Sequence, residues 1–127
     1  MSYPKRQRLS VTTDASGNAT ATFAQTVQGK IKQIVYTKDG TNAYSNGSTI
    51  TFSNTETGET IWAETGVNAS AVRAPRIATH SNAGVAALYA AAGQAVNDDF
   101  YCAGDHVQVV ISGGGNTKVG QFDLIYE

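Results

Sequence analysis

Residues 105–126, DHVQVVISGGGNTKVGQFDLIY, decide the fold class of this 127-residue chain. Apolar and polar residues alternate on both sides of a glycine run, with apolar side chains at Val107, Val109, Ile111, Phe122, Leu124 and Tyr126. A period of two is typical of β-strands, and three glycines followed by Asn116 suit a tight reversal. The segment therefore predicts a β-hairpin. Because an isolated hairpin leaves its apolar face in water, other parts of the chain must cover it.

The same alternation predicts two more hairpins earlier in the chain. Residues 9–24 alternate on both sides of a turn at 14–18, where Asp, Ser, Gly and Asn are clustered. Residues 48–65 alternate on both sides of a turn at 55–58. Each pair of arms is short enough to be joined directly by its turn, so we expect the two arms of each pair to lie side by side.

Three shorter features complete the β pattern. Residues 30–38 form a β-branched run whose alternation slips, which predicts a bulge near Gln33. Residues 100–103 predict one more short strand before the last hairpin. Pro75 cannot donate to a ladder, so we expect it at a sheet edge or at the start of a strand.

Residues 81–96 are the exception to the β pattern. Apolar residues recur there at helical spacing, at Val85, Leu88, Tyr89 and Ala92. With Ser81 or Asn82 as a cap and Gly93 as a stop, this spacing predicts about two helical turns. A helix this short is unstable alone. We expect it to form a lid over one open end of the fold, and the alternative is an alanine-rich loop exposed for contact.

Together these patterns predict an all-β fold, an antiparallel β-sandwich of the jelly-roll or immunoglobulin-like kind. We expect about eight short strands, with one short helix near residues 82–93. A partly closed barrel is the alternative, because strand number does not decide how the edges are covered. The length fits one domain. We expect an extended basic N-terminal arm at residues 1–8, held extended by Pro4, and a single sandwich domain at residues 9–127.

The distribution of charge suggests one contact region. A formal net charge of −1 gives no overall field that would attract nucleic acid or an anionic membrane, so neither is an expected partner. Lys5, Arg6 and Arg8, however, are three of the nine basic residues. A solvated terminus and an arm that lies on an acidic neighbour are both consistent with this cluster. We predict that residues 3–8 form a contact arm ordered by a neighbouring protein.

Few side chains indicate chemistry. Asp98 and Asp99 are adjacent, and adjacent residues on a strand point to opposite faces, so they would not converge on a metal. His80 and His106 lack metal-ligand spacing to each other or to Cys102. We interpret the single cysteine as a small buried apolar residue rather than a nucleophile. We expect no enzymatic activity, no catalytic residues, no metal and no cofactor.

Aromatic side chains are the remaining candidates for contact, although core packing accounts for most of them. Tyr44 is the least core-like, because it lies in a polar loop between turn signals at 39–40 and 46–47. We therefore place it first among exposed aromatic contacts. The full set of candidate protein-contact residues is Tyr3, Lys5, Arg6, Arg8 and Tyr44.

Several segments together resemble small structural proteins of tailed bacteriophages that decorate or cement the capsid. The similar segments are GKI at 29–31 with Ile34 and Tyr36, STIT at 48–51, TGETI at 57–61, APR at 74–76, and residues 107–114 and 120–127. The resemblance implies a virion β-sandwich that binds the major capsid protein as an oligomer or in clusters. The first residues lack the apolar core of a signal peptide, so we expect synthesis in the cytosol. The resemblance implies that this is the host cytoplasm and that the final location is the capsid surface.

Two other functions are consistent with the sequence. One is an adhesin or carbohydrate-binding module of a phage tail or head fibre, with Tyr44 and Trp62 as platforms for sugars. The other is a cytosolic interaction domain unrelated to phage. Detection in virions would separate the phage functions from the cytosolic one, and glycan binding would separate the adhesin from the decoration protein.

Overall fold

Ten strands form two antiparallel sheets in the computed structural model, which describes residues 3–127. The strands are β1 Lys5–Thr12, β2 Ala19–Thr22, β3 Val27–Lys38, β4 Thr49–Asn54, β5 Thr60–Thr65, β6 Ala71–Arg73, β7 Arg76–Ala78, β8 Asn97–Asp105, β9 Val107–Ser112 and β10 Val119–Tyr126. The large sheet has the order β1-β10-β3-β8-β7, with β6 also paired to β3, and the small sheet has the order β2-β9-β4-β5. The predicted antiparallel β-sandwich is confirmed.

The long strand β3 organises the large sheet. One of its sides pairs with β10, and the other pairs with β8 along residues 27–31 and with β6 along residues 34–36. The register with β10 shifts so that Gln33 and Ile31 face consecutive residues, which leaves Lys32 as the extra residue of a bulge. The irregularity predicted near Gln33 is confirmed, and it allows Ile31 and Ile34, three positions apart, to be buried on the same face.

The last two strands do not form the predicted hairpin. β9 belongs to the small sheet, where it pairs with β2 and β4, whereas β10 belongs to the large sheet, where it pairs with β1 and β3. The connection at 113–118 crosses between the sheets and is held by other loops: Gly114 N donates to Gly17 O, and Ser45 N donates to Gly114 O. Alternation correctly identified the buried side chains, which face each other across the core instead of lying side by side.

The other two predicted hairpins have different outcomes. β1 and β2 also lie in different sheets, so residues 9–24 form a second crossing rather than a hairpin. β4 and β5 pair directly, with an irregularity between Phe52 and Ser53, and this hairpin is confirmed. The strand at 100–103 is confirmed within β8, and Pro75 lies between β6 and β7, each of which pairs on one side only.

The core lies between the inner faces of the two sheets. Its fully buried members include Ile34 and Phe122 of the large sheet and Phe52 and Ile111 of the small sheet. The rings of Phe52 and Phe122 meet edge to face, with centroids 5.4 Å apart, so the aromatic cluster joins the sheets at their middle. Burial of these apolar side chains is the main stabilising contribution, at roughly 2 kcal/mol for each large side chain.

The predicted helix near residues 82–93 is wrong, and no segment of residues 3–127 is helical. Residues 79–96 continue outward from β7 and β8 as three short extended stretches joined by tight turns. Thr79 N donates to Val96 O, Ala87 N to Thr79 O, and Val96 N to Ala87 O. The φ angles of Gly84 (78°) and Ala92 (60°) are positive and interrupt a right-handed helix. An exposed apolar stripe also gains no core contact that would stabilise a helix.

The boundary expected after residue 8 is not observed. β1 begins at Lys5 and pairs with β10 along its whole length, from Lys5 opposite Tyr126 to Thr12 opposite Val119. Residues 5–8 are thus part of the sandwich. Their backbone is fixed by a ladder within the chain and does not require a neighbouring protein for its order.

Candidate protein-contact surfaces

Pairing of β1 divides the basic N-terminal residues between two faces of the large sheet. Arg6 and Arg8 point outward, while Gln7 between them is buried and exchanges hydrogen bonds of 3.0 Å with the backbone of Gln25. Lys5 lies on the same side as Gln7, with Nζ 5.8 Å from the centre of the Tyr126 ring. Tyr3 precedes the strand and is exposed. Among the predicted contact residues, the structure therefore brings together only Arg6 and Arg8.

The carboxylate of Asp123 holds these two arginines. Arg8 donates to it through Nε at 2.9 Å and Nη2 at 3.3 Å, and Arg6 Nη1 lies 3.8 Å away. The side chain of Asp123 is only 8% exposed, whereas those of Arg6 and Arg8 are 57% and 59% exposed. The guanidinium groups cover the acid, so the surface presents cations.

A second covered carboxylate lies further across the same sheet. Asp99 of β8 accepts hydrogen bonds from Lys32 Nζ at 2.9 Å and from Arg76 Nη1 at 2.6 Å. The hydrogen bond from Lys32 is the main reason that the pKa of Asp99 lies below its usual value. The side chain of Asp99 is 12% exposed, and those of Lys32 and Arg76 are 38% and 44% exposed. This repeats the arrangement around Asp123.

We call this surface the basic face: the outward side of the large sheet carrying Arg6, Arg8, Lys30, Lys32 and Arg76. Strand registers place these residues on one side, since Arg8 is opposite Asp123, Lys30 is opposite Tyr101, and Arg76 is opposite Asp99. Lys30 Nζ lies 5.6 Å from the centre of the exposed Tyr101 ring. Sequence reasoning found only two of the five cations, because the others come from strands distant in sequence.

Residues 79–96 form a second surface, which we call the apolar arm. No charged side chain occurs from residue 81 to residue 97. Val85 is 66% exposed, Leu88 42% and Tyr89 77%. The lid predicted for this segment is wrong, and the alternative of an exposed alanine-rich loop is confirmed. An uncharged apolar segment that is exposed on a domain surface is a candidate contact surface.

Tyr44 is not an exposed contact residue. The side chain is 3% exposed, and its hydroxyl donates to Val11 O at 2.6 Å. The ring is stacked 6.1 Å from Tyr36 and lies over Gly120, where an added Cβ would come within 2.5 Å of it. Burial raises the pKa of the Tyr44 hydroxyl. The turn signals around Tyr44 correctly predicted a loop. The signal for its burial was Gly120 within β10, because a glycine inside a strand often marks a place where another group approaches the backbone closely.

The potentially reactive side chains occupy separate environments. Cys102 is buried, which raises the pKa of its thiol to about 11, with smaller contributions from Asp105 and Glu59. Asp98 and Asp99 point to opposite faces of β8, as expected. His106 Nδ1 lies 3.8 Å from Glu56. Within residues 3–127, no group of three or more His, Cys, Asp or Glu side chains is arranged to hold a metal ion.

Comparison with known proteins supports the fold. No protein-family model matches the chain, and no curated protein that was compared with it matches either. No helix of the described residues is long and apolar enough to cross a membrane. A solved structure described as the crystal structure of FLHE is similar over 99% of both chains, with a TM-score of 0.51 and 11% sequence identity. At this identity the likeness concerns the sandwich architecture alone.

Proposed function

We propose that this protein is a non-enzymatic structural protein of a phage virion, a decoration or cement protein that binds the capsid shell and stabilises it. The observation that carries the proposal is the apolar arm, whose uncharged, exposed side chains suit burial against another protein. The resemblance of the sequence to small capsid-decorating proteins supplies the class of partner. The partner is the major capsid protein, and the protein acts as an oligomer or in clusters on the capsid surface after synthesis in the host cytoplasm.

The mechanism is linkage between binding and shell stability. A protein that binds the assembled shell and not its dissociated subunits shifts the equilibrium toward the shell. At a free concentration one hundred times the dissociation constant, this contributes about 2.7 kcal/mol for each site. The sandwich supplies a fixed platform, because the arm leaves it from two paired strands, β7 and β8. No covalent chemistry is needed for such a role.

The alternative of a carbohydrate-binding adhesin relied on Tyr44 and Trp62 as stacking platforms. These side chains are 3% and 9% exposed, so neither ring offers a face to a sugar. Among the described residues, Tyr3, Tyr89 and Tyr101 are the exposed aromatics that would have to replace them. The arm is therefore better suited to a protein surface, since its apolar side chains are aliphatic as well as aromatic.

The proposal is tested on particles of the virus whose genome encodes the chain. Purified virions should contain the protein, and added protein should bind particles that lack it and raise their resistance to heat. Replacing Val85 and Tyr89 together with serine should reduce particle occupancy while leaving the fold intact, because both side chains are exposed.

A matched control keeps the interpretation specific to the arm. Tyr3→Ser removes another exposed aromatic ring, 63% exposed, which precedes β1 and lies outside the arm. If the arm makes the contact and residues 3–8 do not, this change should leave occupancy unchanged. Absence of the protein from purified virions would refute the capsid proposal, and an equal loss with Tyr3→Ser would refute the role of the arm.

A further inference from the structure

The basic face has the composition of an interface. Its five cations are accompanied by three carboxylates, those of Asp99, Asp123 and Glu127, and the last is paired with Lys30 by two backbone hydrogen bonds. This leaves an excess of two positive charges. Two of these acids are almost covered by the cations they hold. Because Asp99 and Asp123 each hold two cationic side chains, less side-chain freedom is lost when a partner binds.

Apolar groups lie between the charges. Tyr101 is 61% exposed and Val72 of β6 is 54% exposed, and Val72 is opposite Val35 on the outward side. Charged groups around partly exposed apolar side chains are typical of a protein interface with a polar rim. The covered carboxylates make the same surface less suitable for a polyanion, because each opposes a neighbouring phosphate.

A complementary surface is present on the same chain. The hairpin turn between β4 and β5 carries Glu56 and Glu59, both exposed. Asp105 adds a third acid beside this turn. Asn54, the last residue of β4, holds it there by donating from Nδ2 to Asp105 Oδ2 at 2.8 Å. Among the described residues, the basic side chain in contact with the Glu56 carboxylate is His106, whose Nδ1 lies 3.8 Å from Oε1. We call Glu56, Glu59 and Asp105 the acidic hairpin end.

We propose that the basic face of one copy binds the acidic hairpin end of a second copy. The two surfaces carry opposite charge. The basic face and the acidic hairpin end of one molecule cannot contact each other, because the β4–β5 hairpin belongs to the small sheet and the basic face points away from that sheet. The contact joins two different patches, so it is heterologous and generates a ring or an open cluster. This inference rests on the oligomer of the proposed function and names the two surfaces that meet in it. It is tested without a shell, so its failure is distinct from failure of the capsid proposal.

Charge reversal in trans tests the contact. One variant carries Arg6→Glu and Lys30→Glu, and the other carries Glu56→Lys and Glu59→Lys. Sedimentation velocity of the full chain up to millimolar concentration should show self-association of the wild type that weakens at least about tenfold between roughly 50 mM and 1 M salt. Each variant alone should be monomeric. Mixing the two should restore association, because each keeps one surface that fits the other.

The controls separate this contact from general charge effects and from misfolding. Lys5→Glu changes the charge next to Arg6 but on the other side of β1, so it should leave association unchanged. If a reversed variant does not fold, Arg6→Gln with Lys30→Gln should still weaken association at low salt. A monomeric wild type at every concentration, salt-independent association, or failure of the mixture to associate would each overturn the proposal. Displacement of the second copy by a single-stranded oligonucleotide would also overturn it, by assigning the face to nucleic acid.

Discussion

Replacement of Tyr44 tests how the loop at 39–48 is joined to the core. The ring is stacked 6.1 Å from Tyr36 and 6.4 Å from Phe122, and the hydroxyl donates to Val11 O on the edge strand. Tyr44→Ala removes a buried aromatic ring and leaves a cavity between the loop and β10. Comparable changes cost about 3 to 5 kcal/mol, so we expect a loss in that range.

A second substitution separates the hydroxyl from the ring. Tyr44→Phe keeps the stacking and removes the 2.6 Å hydrogen bond to Val11 O. Loss of one buried hydrogen bond with its partner left in place costs about 1 to 3 kcal/mol. We therefore expect Tyr44→Phe to cost less than Tyr44→Ala, about 2 against about 4 kcal/mol at the middle of the two ranges.

Urea unfolding followed by circular dichroism measures both changes, with a constant denaturant slope as the sign that only stability has changed. Tyr89→Ala is the matched control, because Tyr89 is 77% exposed and its removal should change the free energy of unfolding by less than about 0.5 kcal/mol. If Tyr44→Ala and Tyr89→Ala have the same effect, Tyr44 is not part of the core and this reasoning is wrong.

Three further predictions concern the core and its ion pairs. Gly120→Ala should lower the free energy of unfolding by about 1 to 3 kcal/mol, because the new Cβ would lie 2.5 Å from the Tyr44 ring. Gly40→Ala is the control in the same urea assay and should have little effect, because no atom lies within 4 Å of the added Cβ. Cys102 should resist a thiol reagent at pH 8 in the native state and react rapidly in urea, because burial raises its pKa to about 11; rapid native labelling would contradict this. Arg73 lowers the pKa of Glu64 to about 2, so this acid stabilises the fold above its unfolded pKa, and the contribution is lost between about pH 4.5 and 2. Because Glu64 is partly exposed, Glu64→Gln should lower neutral-pH stability by less than about 1 kcal/mol, and the difference should disappear as the pH falls through that window in parallel urea titrations.

Alternation in the sequence predicted which residues are buried, but not which strands are neighbours. Val109 and Phe122 are both fully buried, as the period of two requires. A period of two specifies the face of the strand on which each side chain lies. The pattern is the same whether the next strand pairs beside this one or crosses to the opposite sheet, so it does not identify the neighbouring strand. Of the three predicted hairpins, only β4–β5 is observed, because its short turn places the two strands directly beside each other.

The two errors at the candidate sites have related physical causes. Tyr44 is in a loop with strong turn signals, but a loop can still direct one ring inward when the opposing strand has a glycine, and Gly120 provides that space. Residues 81–96 have helical spacing, but Gly84 and Ala92 adopt positive φ angles, and Val85 has no core contact. In both cases tertiary contacts outweighed the local pattern: Tyr44 has a place to pack in the core, whereas the apolar side chains of residues 81–96 do not.

The unequal widths of the two sheets explain why the buried core and the proposed contact surface are located in different parts of the molecule. Ile77 is paired with Asp98 on the same side of the large sheet as the buried Phe100, yet it is 40% exposed, so the small sheet ends before β7. The ion pair of Arg73 with Glu64 joins β6 to β5 where the sandwich closes. Beyond that line, substitutions remove little buried area, so changes in the apolar arm should alter binding without altering the free energy of unfolding. A surface that can vary in this way, attached to a core that cannot, fits the contact function that we propose.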